Sequence, residues 1–198
     1  MRIAVFGAAG RTGHQVIEQA LARGHDGVAF VRDRSRFPFE VERLHVVEGD
    51  ARDAAAVEAA IEGADAIVSV LSLASPDLEP QHSEATRAVI AAAGRAGVRR
   101  IVVTANNDAF TDGELTGDFA AMGREHRRNR DALRASALDW TMGAAPRVTD
   151  DPPTGSYEVV LDTRASGRRL SAADFATFTL DALEHDDWIG HLVGVSAA

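Results

Sequence analysis

The stretch RIAVFGAAGRTGHQVIEQALA, residues 2–22, predicts how the chain begins to fold. An apolar run at 2–6 is typical of a buried strand, and the run from residue 12 onward is typical of an amphipathic helix. Between them Gly7, Gly10 and Gly13 form a G-x-x-G-x-x-G pattern. Glycines at this spacing permit a tight turn, close approach of the backbone to a diphosphate, and close helix–strand packing. The stretch predicts a dinucleotide-binding turn, although a purely structural strand-to-helix connection remains the alternative.

The rest of the chain repeats this alternation of strand-like and helix-like segments. We expect strands at 2–6, 27–32, 44–50, 65–72, 99–105, 138–143, 156–162 and 191–196, and helices at 12–23, 53–62, 82–96, 118–136 and 171–185. Near-continuous apolar strands separated by helices indicate a parallel sheet that is buried on both faces. The sequence therefore predicts the α/β class. We expect a single-domain Rossmann fold over 1–198, doubly wound and mostly parallel, with helices on both faces and a small C-terminal extension, about 143–198, on the substrate side.

Composition excludes several kinds of function. The chain has 198 residues, a net charge of −9 and no cysteine, and all 21 of its cationic side chains are arginines. An acidic protein is poorly suited to nucleic acid, and the absence of Cys and Lys excludes thiolate and Schiff-base catalysis. The histidines show no metal-ligand spacing, so we expect no metal. With no apolar run long enough for a membrane span, we expect a cytoplasmic protein without nucleic-acid or membrane partners.

The segment FVRDRSRF, residues 30–37, bears on the choice of cofactor. In a dinucleotide-binding fold the end of the second strand meets the adenine ribose, where an acidic side chain suits NAD and an arginine suits the 2′-phosphate of NADP. Arg32 comes first here, and Arg36 follows, so the segment favours NADP(H) over NAD(H). Asp33 keeps NAD open, and a merely solvated loop is the other alternative. Asp50 and Ala51, after the third strand, are placed to meet the adenine.

The segments GAAGRTG, FVRDRSRF, VEGDARD and LDWTMGAAPRVTDDPPTGSYEVVLD together resemble atypical short-chain dehydrogenases/reductases with NAD(P)H-binding (NmrA-like) domains. Within that family they are most similar to the biliverdin-IX-beta and flavin reductases. The resemblance implies an NADP site made by Gly7, Gly10, Arg11, Thr12, Gly13, Arg32, Ser35, Arg36, Asp50, Ala51, Leu71, Ser72, Thr104, Ala105, Ala145 and Pro146. The 2′-phosphate would meet Arg32, Ser35 and Arg36, and the nicotinamide would lie beside 104–106 under the loop 145–147.

The sequence departs from this family at two positions beside the expected nicotinamide. Asn106 stands where the reductases have a serine, and Arg147 stands where they have a histidine. As catalytic candidates, Asn106 would orient the nicotinamide amide or an acceptor carbonyl, and Arg147 would stabilise negative charge or bind an acidic group of the substrate. A turn role for Asn106 and a surface salt bridge for Arg147 are the alternatives.

The usual proton-donating Tyr-x-x-x-Lys pair is absent. Met122 and His126 occupy the corresponding places on the 118–136 helix, the chain has no Lys, and its single tyrosine, Tyr157, lies far downstream. Hydride transfer to a conjugated small-molecule acceptor, such as a flavin, quinone or tetrapyrrole, needs little acid help. We therefore expect an NADPH-dependent reductase of such acceptors, a monomer or homodimer. A non-catalytic NADP(H)-binding redox sensor is the alternative.

Two further expectations concern helix surfaces. The basic run HRRNR, residues 126–130, is interpreted as a solvated helix face. Ser171 is interpreted as the cap of the last helix, with Asp174 and Asp181 on or near its surface.

Overall fold

The computed structural model describes residues 1–37, 39, 41–72, 79–117 and 119–198. In these residues the strands are β1 (Arg2–Phe6), β2 (Asp26–Val31), β3 (Leu44–Glu48), β4 (Ala66–Ser69), β5 (Arg100–Asn106), β6 (Asp139–Ala145), β7 (Val148–Thr149), β8 (Tyr157–Leu161), β9 (Leu170–Ser171) and β10 (His191–Ala197). The helices are α1 (Arg11–Ala22), α2 (Ala54–Ile61), α3 (Gln81–Ala96), α4 (Ala120–Arg134) and α5 (Ala172–Glu184). Each expected strand and helix is present with bounds shifted by a few residues. Asp118, the expected start of α4, lies outside the described residues.

Eight strands form one sheet in the order β3-β2-β1-β4-β5-β6-β10-β8. All neighbours pair in parallel except β8, which runs antiparallel to β10 at the edge. The chain moves outward from β1 to β3 and then returns to β4 on the other side of β1. This reversal is a topological switch point, and in open α/β sheets ligands bind outside the carboxyl ends of the strands at such a point. The predicted Rossmann fold is confirmed.

Helices cover both faces of the sheet. On one face α1 packs against α5, and on the other α2 packs against α3 and α3 against α4. Alternate side chains of β1 enter the two cores, with Ile3 and Val5 on the α1/α5 side and Ala4 and Phe6 on the α2/α3 side. Both cores exclude water from these side chains, which explains why the strand is apolar at every position from Ile3 onward. None of the helices in the described residues is long and apolar enough to cross a membrane.

The segment from residue 143 onward builds more structure than the sequence predicts. It adds β10 and β8 to the main sheet, and it also forms a second, two-stranded parallel sheet from β7 and β9. In that small sheet Val148 pairs with Leu170 and Thr149 with Ser171. Strands of two residues carry no detectable period, so sequence patterning missed them. The expected role of this segment on the substrate side stays a prediction.

Candidate functional site

The glycine turn after β1 contains two glycines that packing requires and a third, Gly10, that packing constrains less strictly. Gly7 has φ +86°, and a Cβ there would lie 2.8 Å from the carbonyl oxygen of Val70. A Cβ on Gly13 would lie 2.2 Å from the carbonyl oxygen of Gly7. A Cβ on Gly10 would meet only that same oxygen, at 3.2 Å. The bare backbone of Gly10 therefore leaves space that a ligand can approach.

The start of α1 is open to an anion. Gly10 is its N-cap and supplies no side-chain hydrogen bond, and the first turn has no acidic residue. Among the described residues, the backbone N–H groups of 11–13 have no acceptor. The positive end of a helix dipole disfavours a cation, yet Arg11 is the first helical residue. Free N–H groups and a guanidinium at one helix start fit the diphosphate of a dinucleotide.

A groove of about 320 Å³ lies at the carboxyl ends of the strands around the switch point. Eight of the predicted cofactor residues line it: Gly7, Gly10, Arg32, Arg36, Asp50, Ala51, Leu71 and Ser72. It is also lined by Asp33 and by residues that the sequence reasoning did not assign to the site: Ala9, Phe30, Val31, Arg52, Val70, Gln81, His82 and Ala85. The glycine turn, the end of β2 and the end of β3 thus share one cavity, which suits an elongated ligand.

The β2 end of the groove carries two available guanidinium groups. Within the described part of the chain, Arg32 and Arg36 form no ion pair and no side-chain hydrogen bond to the protein. Asp33, in contrast, accepts hydrogen bonds from the Ser35 hydroxyl at 2.6 Å and from the Ser35 N–H at 3.0 Å, and these lower its pKa. Ser35 is therefore directed toward Asp33 and does not line the groove. Two unpaired arginines at this position match the needs of a phosphate.

Asp50 and Arg52 form a bidentate pair at the β3 end of the groove. Arg52 Nε lies 3.0 Å from Asp50 Oδ1, and an Arg52 terminal nitrogen lies 2.6 Å from Oδ2. These hydrogen bonds lower the pKa of Asp50 to about 2, so the carboxylate is ionised at neutral pH. The D-x-R spacing was the available signal for Arg52, which adds a third guanidinium group to the groove, paired with Asp50.

Asn106 ends β5 and pairs in register with Ala145 of β6. Its Oδ1 accepts the N–H of Asp108 at 3.1 Å, and its Nδ2 donates to the Asp108 carboxylate at 3.1 Å. These bonds cap the 3-10 turn Asn107–Phe110, so the side chain has the turn role that the sequence left open. Thr104 and Ala105, the residues before it, are buried in the sheet. The structure thus pairs 104–106 with 143–145 of β6 and does not assign Asn106 a catalytic contact, so the nicotinamide contacts of these residues stay a prediction.

A buried pair of imidazoles lies next to Asn106. The backbone N–H of Asn106 donates to His126 Nδ1 at 3.0 Å, and the ring centroids of His126 and His82 are 5.4 Å apart. Burial lowers the pKa of His126 to about 3 and that of His82 to about 4, so both rings are neutral at neutral pH. α4 therefore carries an uncharged, buried ring beside Asn106.

The interpretation of 126–130 as a solvated face is wrong. His126, Asn129 and Arg130 are buried, and Arg130 donates to the carbonyl oxygen of Ala109 at 2.8 Å and to Asp112 at 2.7 Å. Asn129 and Arg130 follow His126 by three and four positions, which puts the three side chains on one side of the helix. That spacing was the signal the sequence reasoning missed.

Arg147 lies in a different cavity from the groove. This second cavity has a volume of about 590 Å³ and is lined by Arg11, Arg147, Thr149, Asp150, Asp151, Arg168 and Arg169. Ala145 is buried and Pro146 half-buried at the end of β6, just before it. Thr12 lies in the first turn of α1 and lines neither cavity. The structure therefore places Arg11 and Arg147 together, with the glycine turn between them and the groove.

Tyr157 is hydrogen-bonded to another side chain at the edge of the sheet. Its hydroxyl donates to Asp181, and burial together with this bond raises the pKa of Tyr157. The residue lines neither cavity. Among the described residues there is also no group of three or more His, Asp or Glu side chains that could hold a metal ion.

Comparison with known proteins places this geometry in a family. The NAD(P)H-binding family matches residues 7–186. The uncharacterized protein YwnB of Bacillus subtilis (strain 168) is 28% identical over 207 residues, which cover 94% of each chain. A proposed NADH-flavin reductase from Streptococcus pneumoniae TIGR4 superposes with a TM-score of 0.85 at 21% identity over 100% of both chains. A short-chain dehydrogenase/reductase from Veillonella parvula DSM 2008, solved with NADP, has a TM-score of 0.83 at 19% identity over 98% of this chain and 94% of the other. At these identities the two solved structures show a shared fold.

Proposed function

The chain belongs to the NAD(P)H-binding family, and on that premise we propose that it is an NADPH-dependent oxidoreductase that reduces a conjugated acceptor such as a flavin, quinone or tetrapyrrole. The observation that carries the proposal is the groove that joins the open glycine turn to Arg32 and Arg36, which have no ion-pair partner among the described residues. Its two ends match the diphosphate and the 2′-phosphate of NADP. The resemblance to an NADH-flavin reductase in fold supports the choice of acceptor class.

The residues of the chain favour an acceptor that needs no strong acid. When bound, NADPH supplies a hydride from the nicotinamide ring, and the acceptor takes its accompanying proton from water. Tyr157 is bonded to Asp181, no lysine exists to assist a tyrosine, and the histidines nearest Asn106 are neutral. A conjugated acceptor spreads the incoming charge over its ring system, so water is a sufficient proton source.

Oxidation of the cofactor tests the activity. Purified protein is mixed with NADPH and either flavin mononucleotide (FMN) or a simple quinone, and the absorbance of the reduced nicotinamide is followed, with NADH in parallel. We expect faster loss of NADPH than of NADH with at least one acceptor. Tight NADPH binding without oxidation by any acceptor would instead support the second candidate, a redox sensor, which the missing Tyr–Lys pair favours.

The cofactor preference has its own test, with a matched control. Arg32→Ala removes a guanidinium from the groove, whereas Arg34→Ala removes one from the same exposed segment whose side chain reaches only the carbonyl oxygen of Val46, at 3.4 Å. We expect Arg32→Ala to raise the Kd for NADPH by about tenfold or more, the effect of a lost charged hydrogen bond. The Kd for NADH and both Kd values of Arg34→Ala should change less than about twofold. Equal losses for both cofactors in Arg32→Ala would refute the 2′-phosphate assignment.

A further inference from the structure

The second cavity, which we call the arginine cavity, is a local concentration of positive charge on an acidic protein. Arg11, Arg147, Arg168 and Arg169 line it with only two carboxylates, Asp150 and Asp151, in a chain of net charge −9. Four cations close together repel one another, and a cleft with an excess of one sign of charge attracts ions of the opposite sign. The cavity therefore has the electrostatics of an anion site.

Two of its arginines have no partner among the described residues. Asp150 pairs with Arg11 at 3.2 Å, and Asp151 lies 3.5 Å from Arg169 while accepting the Thr149 hydroxyl at 2.9 Å. In the ranges that the structure describes, Arg147 and Arg168 form no ion pair or side-chain hydrogen bond. Exposed pairs such as Arg11–Asp150 contribute little free energy, so an incoming anion can compete with them. Arg147 and Arg168 are consequently available to a bound ligand, and the exposed pair of Arg169 can yield to it, while Arg11 lies at the border with the glycine turn.

The small sheet assembles these arginines from distant parts of the chain. The Leu170 N–H donates to the carbonyl oxygen of Arg147 at 2.9 Å, which continues the β7–β9 pairing and brings 147 next to 168–169. Arg147 comes two residues after Ala145, the partner of Asn106 in the main sheet. On the other side, Arg11 directly follows Gly10, which lines the cofactor groove. The arginine cavity thus lies beside the glycine turn, and Arg147 closely follows the segment expected beside the nicotinamide.

We propose that the arginine cavity binds a phosphate group carried by the acceptor, so that the preferred acceptor is a phosphorylated conjugated molecule. This inference rests on the proposed function and names its substrate class. Guanidinium groups bind phosphate through paired, charge-assisted hydrogen bonds, and a dianion uses the net positive charge of the cavity better than a neutral acceptor does. In the reaction, a hydride carrying two electrons passes from NADPH to the acceptor, water supplies one proton, and NADP⁺ is released.

FMN and riboflavin give the direct test, because they share one redox-active ring and differ by a phosphate. We expect kcat/KM for FMN to exceed that for riboflavin by about tenfold or more, as for one charged hydrogen bond. Arg168→Gln should move this ratio toward one while the Kd for NADPH changes less than about twofold. Arg164→Gln, an equal change of charge at an exposed arginine that lines neither cavity, should keep the wild-type ratio.

Three results would overturn the inference: equal kcat/KM values for the two flavins, an unchanged ratio in Arg168→Gln, or a rise in NADPH Kd in that variant as large as the change in ratio. The last would mean that the arginines hold the cofactor's own diphosphate. If no acceptor oxidises NADPH, the proposed function fails by itself. Quenching of flavin fluorescence by the NADP⁺-loaded protein then decides: tighter binding of FMN than of riboflavin supports the phosphate site, and equal binding refutes it.

Discussion

The starts of α1 and α5 differ although the two helices pack against each other on one face of the sheet. At α5, Ser171 Oγ accepts the Asp174 N–H at 2.9 Å and donates to the Asp174 carboxylate at 2.9 Å. That carboxylate also accepts the N–H groups of Thr154 at 2.9 Å and Gly155 at 3.1 Å. At α1, Gly10 offers no cap and Arg11 opposes the helix dipole.

The two helix starts differ in what they contribute: the start of α5 stabilises the fold, and the start of α1 is available to bind a ligand. The start of α5 is capped by the protein itself, since Ser171 and Asp174 hydrogen-bond each other and residues 154–155 donate to the Asp174 carboxylate. The start of α1 leaves its donors for an external anion, at a cost in stability of the free protein. If this comparison is right, changes at α5 should affect folding, and changes at the open start of α1 should affect ligand binding more than folding.

The largest expected effect contrasts two glycines of the α1 turn. Gly13→Ala places a Cβ 2.2 Å from the Gly7 carbonyl oxygen and 2.8 Å from the Ala8 Cα, and these backbone atoms cannot yield without moving β1. We expect a loss of about 3 kcal/mol in the free energy of unfolding, measured in urea. Gly10→Ala should cost less than about 1 kcal/mol because its new Cβ meets one atom at 3.2 Å.

Gly10→Ala is also expected to change the affinity of the protein for NADPH. Gly10→Ala should weaken NADPH binding by about tenfold, because the added methyl group occupies the surface that a diphosphate would approach. A Gly10 variant that loses stability as severely as Gly13→Ala, or that binds NADPH normally, would contradict the division between a packing glycine and a ligand-facing one.

The next effect concerns the closed start of α5. Asp174→Asn replaces an acceptor oxygen with an amide that faces the N–H and hydroxyl donors of Thr154 and Ser171. We expect a loss of about 2 kcal/mol in unfolding free energy at pH 7, from broken charged hydrogen bonds at a side chain that is 1% exposed. NADPH affinity of the folded variant should not change, and a large change would mean that the two helix starts are coupled.

Asp174 is also expected to make the stability of the protein depend on pH in a definite direction. Burial raises the pKa of Asp174, but the bonds from Thr154, Ser171 and Gly155 outweigh it and lower the pKa below the ordinary value of 3.8. A lowered folded-state pKa stabilises the protein above the unfolded pKa, and this stabilisation is lost as pH falls through the folded value. The difference in stability between wild type and Asp174→Asn should therefore be constant near neutrality and shrink below about pH 4. A difference that grows on acidification would refute the assignment.

These two helix starts also show which features of the structure could be predicted from the sequence. The glycine pattern predicted the turn at α1, and Ser171 was correctly interpreted as the cap of α5, because both are local signals. The expectation that Asp174 lies on or near the surface is wrong. Residues 154–155 fold over it from a distant turn, and no local pattern records that contact. The succession of the main strands and helices along the chain, and a sheet buried on both faces, followed from hydrophobic periodicity.

Side-chain contacts between distant segments were beyond the sequence. Arg147 lies outside the groove because Val148 pairs with Leu170. Strands of two residues leave no hydrophobic pattern from which this pairing could be predicted. The contact between His82 and His126 depends on how α3 packs on α4. Such contacts decide which side chains face a cavity. The sequence therefore predicted more of the residues that line the groove than of those expected on the acceptor side.

The smallest expected effect on stability is at the residue that opposes the helix dipole. Arg11→Gln removes a cation from the start of α1, which favours the helix by about 0.3–1 kcal/mol, and it also removes the exposed pair with Asp150, which costs a similar amount. We expect the unfolding free energy to change by less than about 0.5 kcal/mol, while NADPH binds about tenfold more weakly because a guanidinium is lost beside the diphosphate. Asp150→Asn is the matched control, since it removes the same ion pair and leaves Arg11 in place. If Asp150→Asn weakens NADPH binding as much as Arg11→Gln does, the ion pair itself orders the turn. If only Arg11→Gln does, the cation acts on the ligand, and the open start of α1 is kept open for binding.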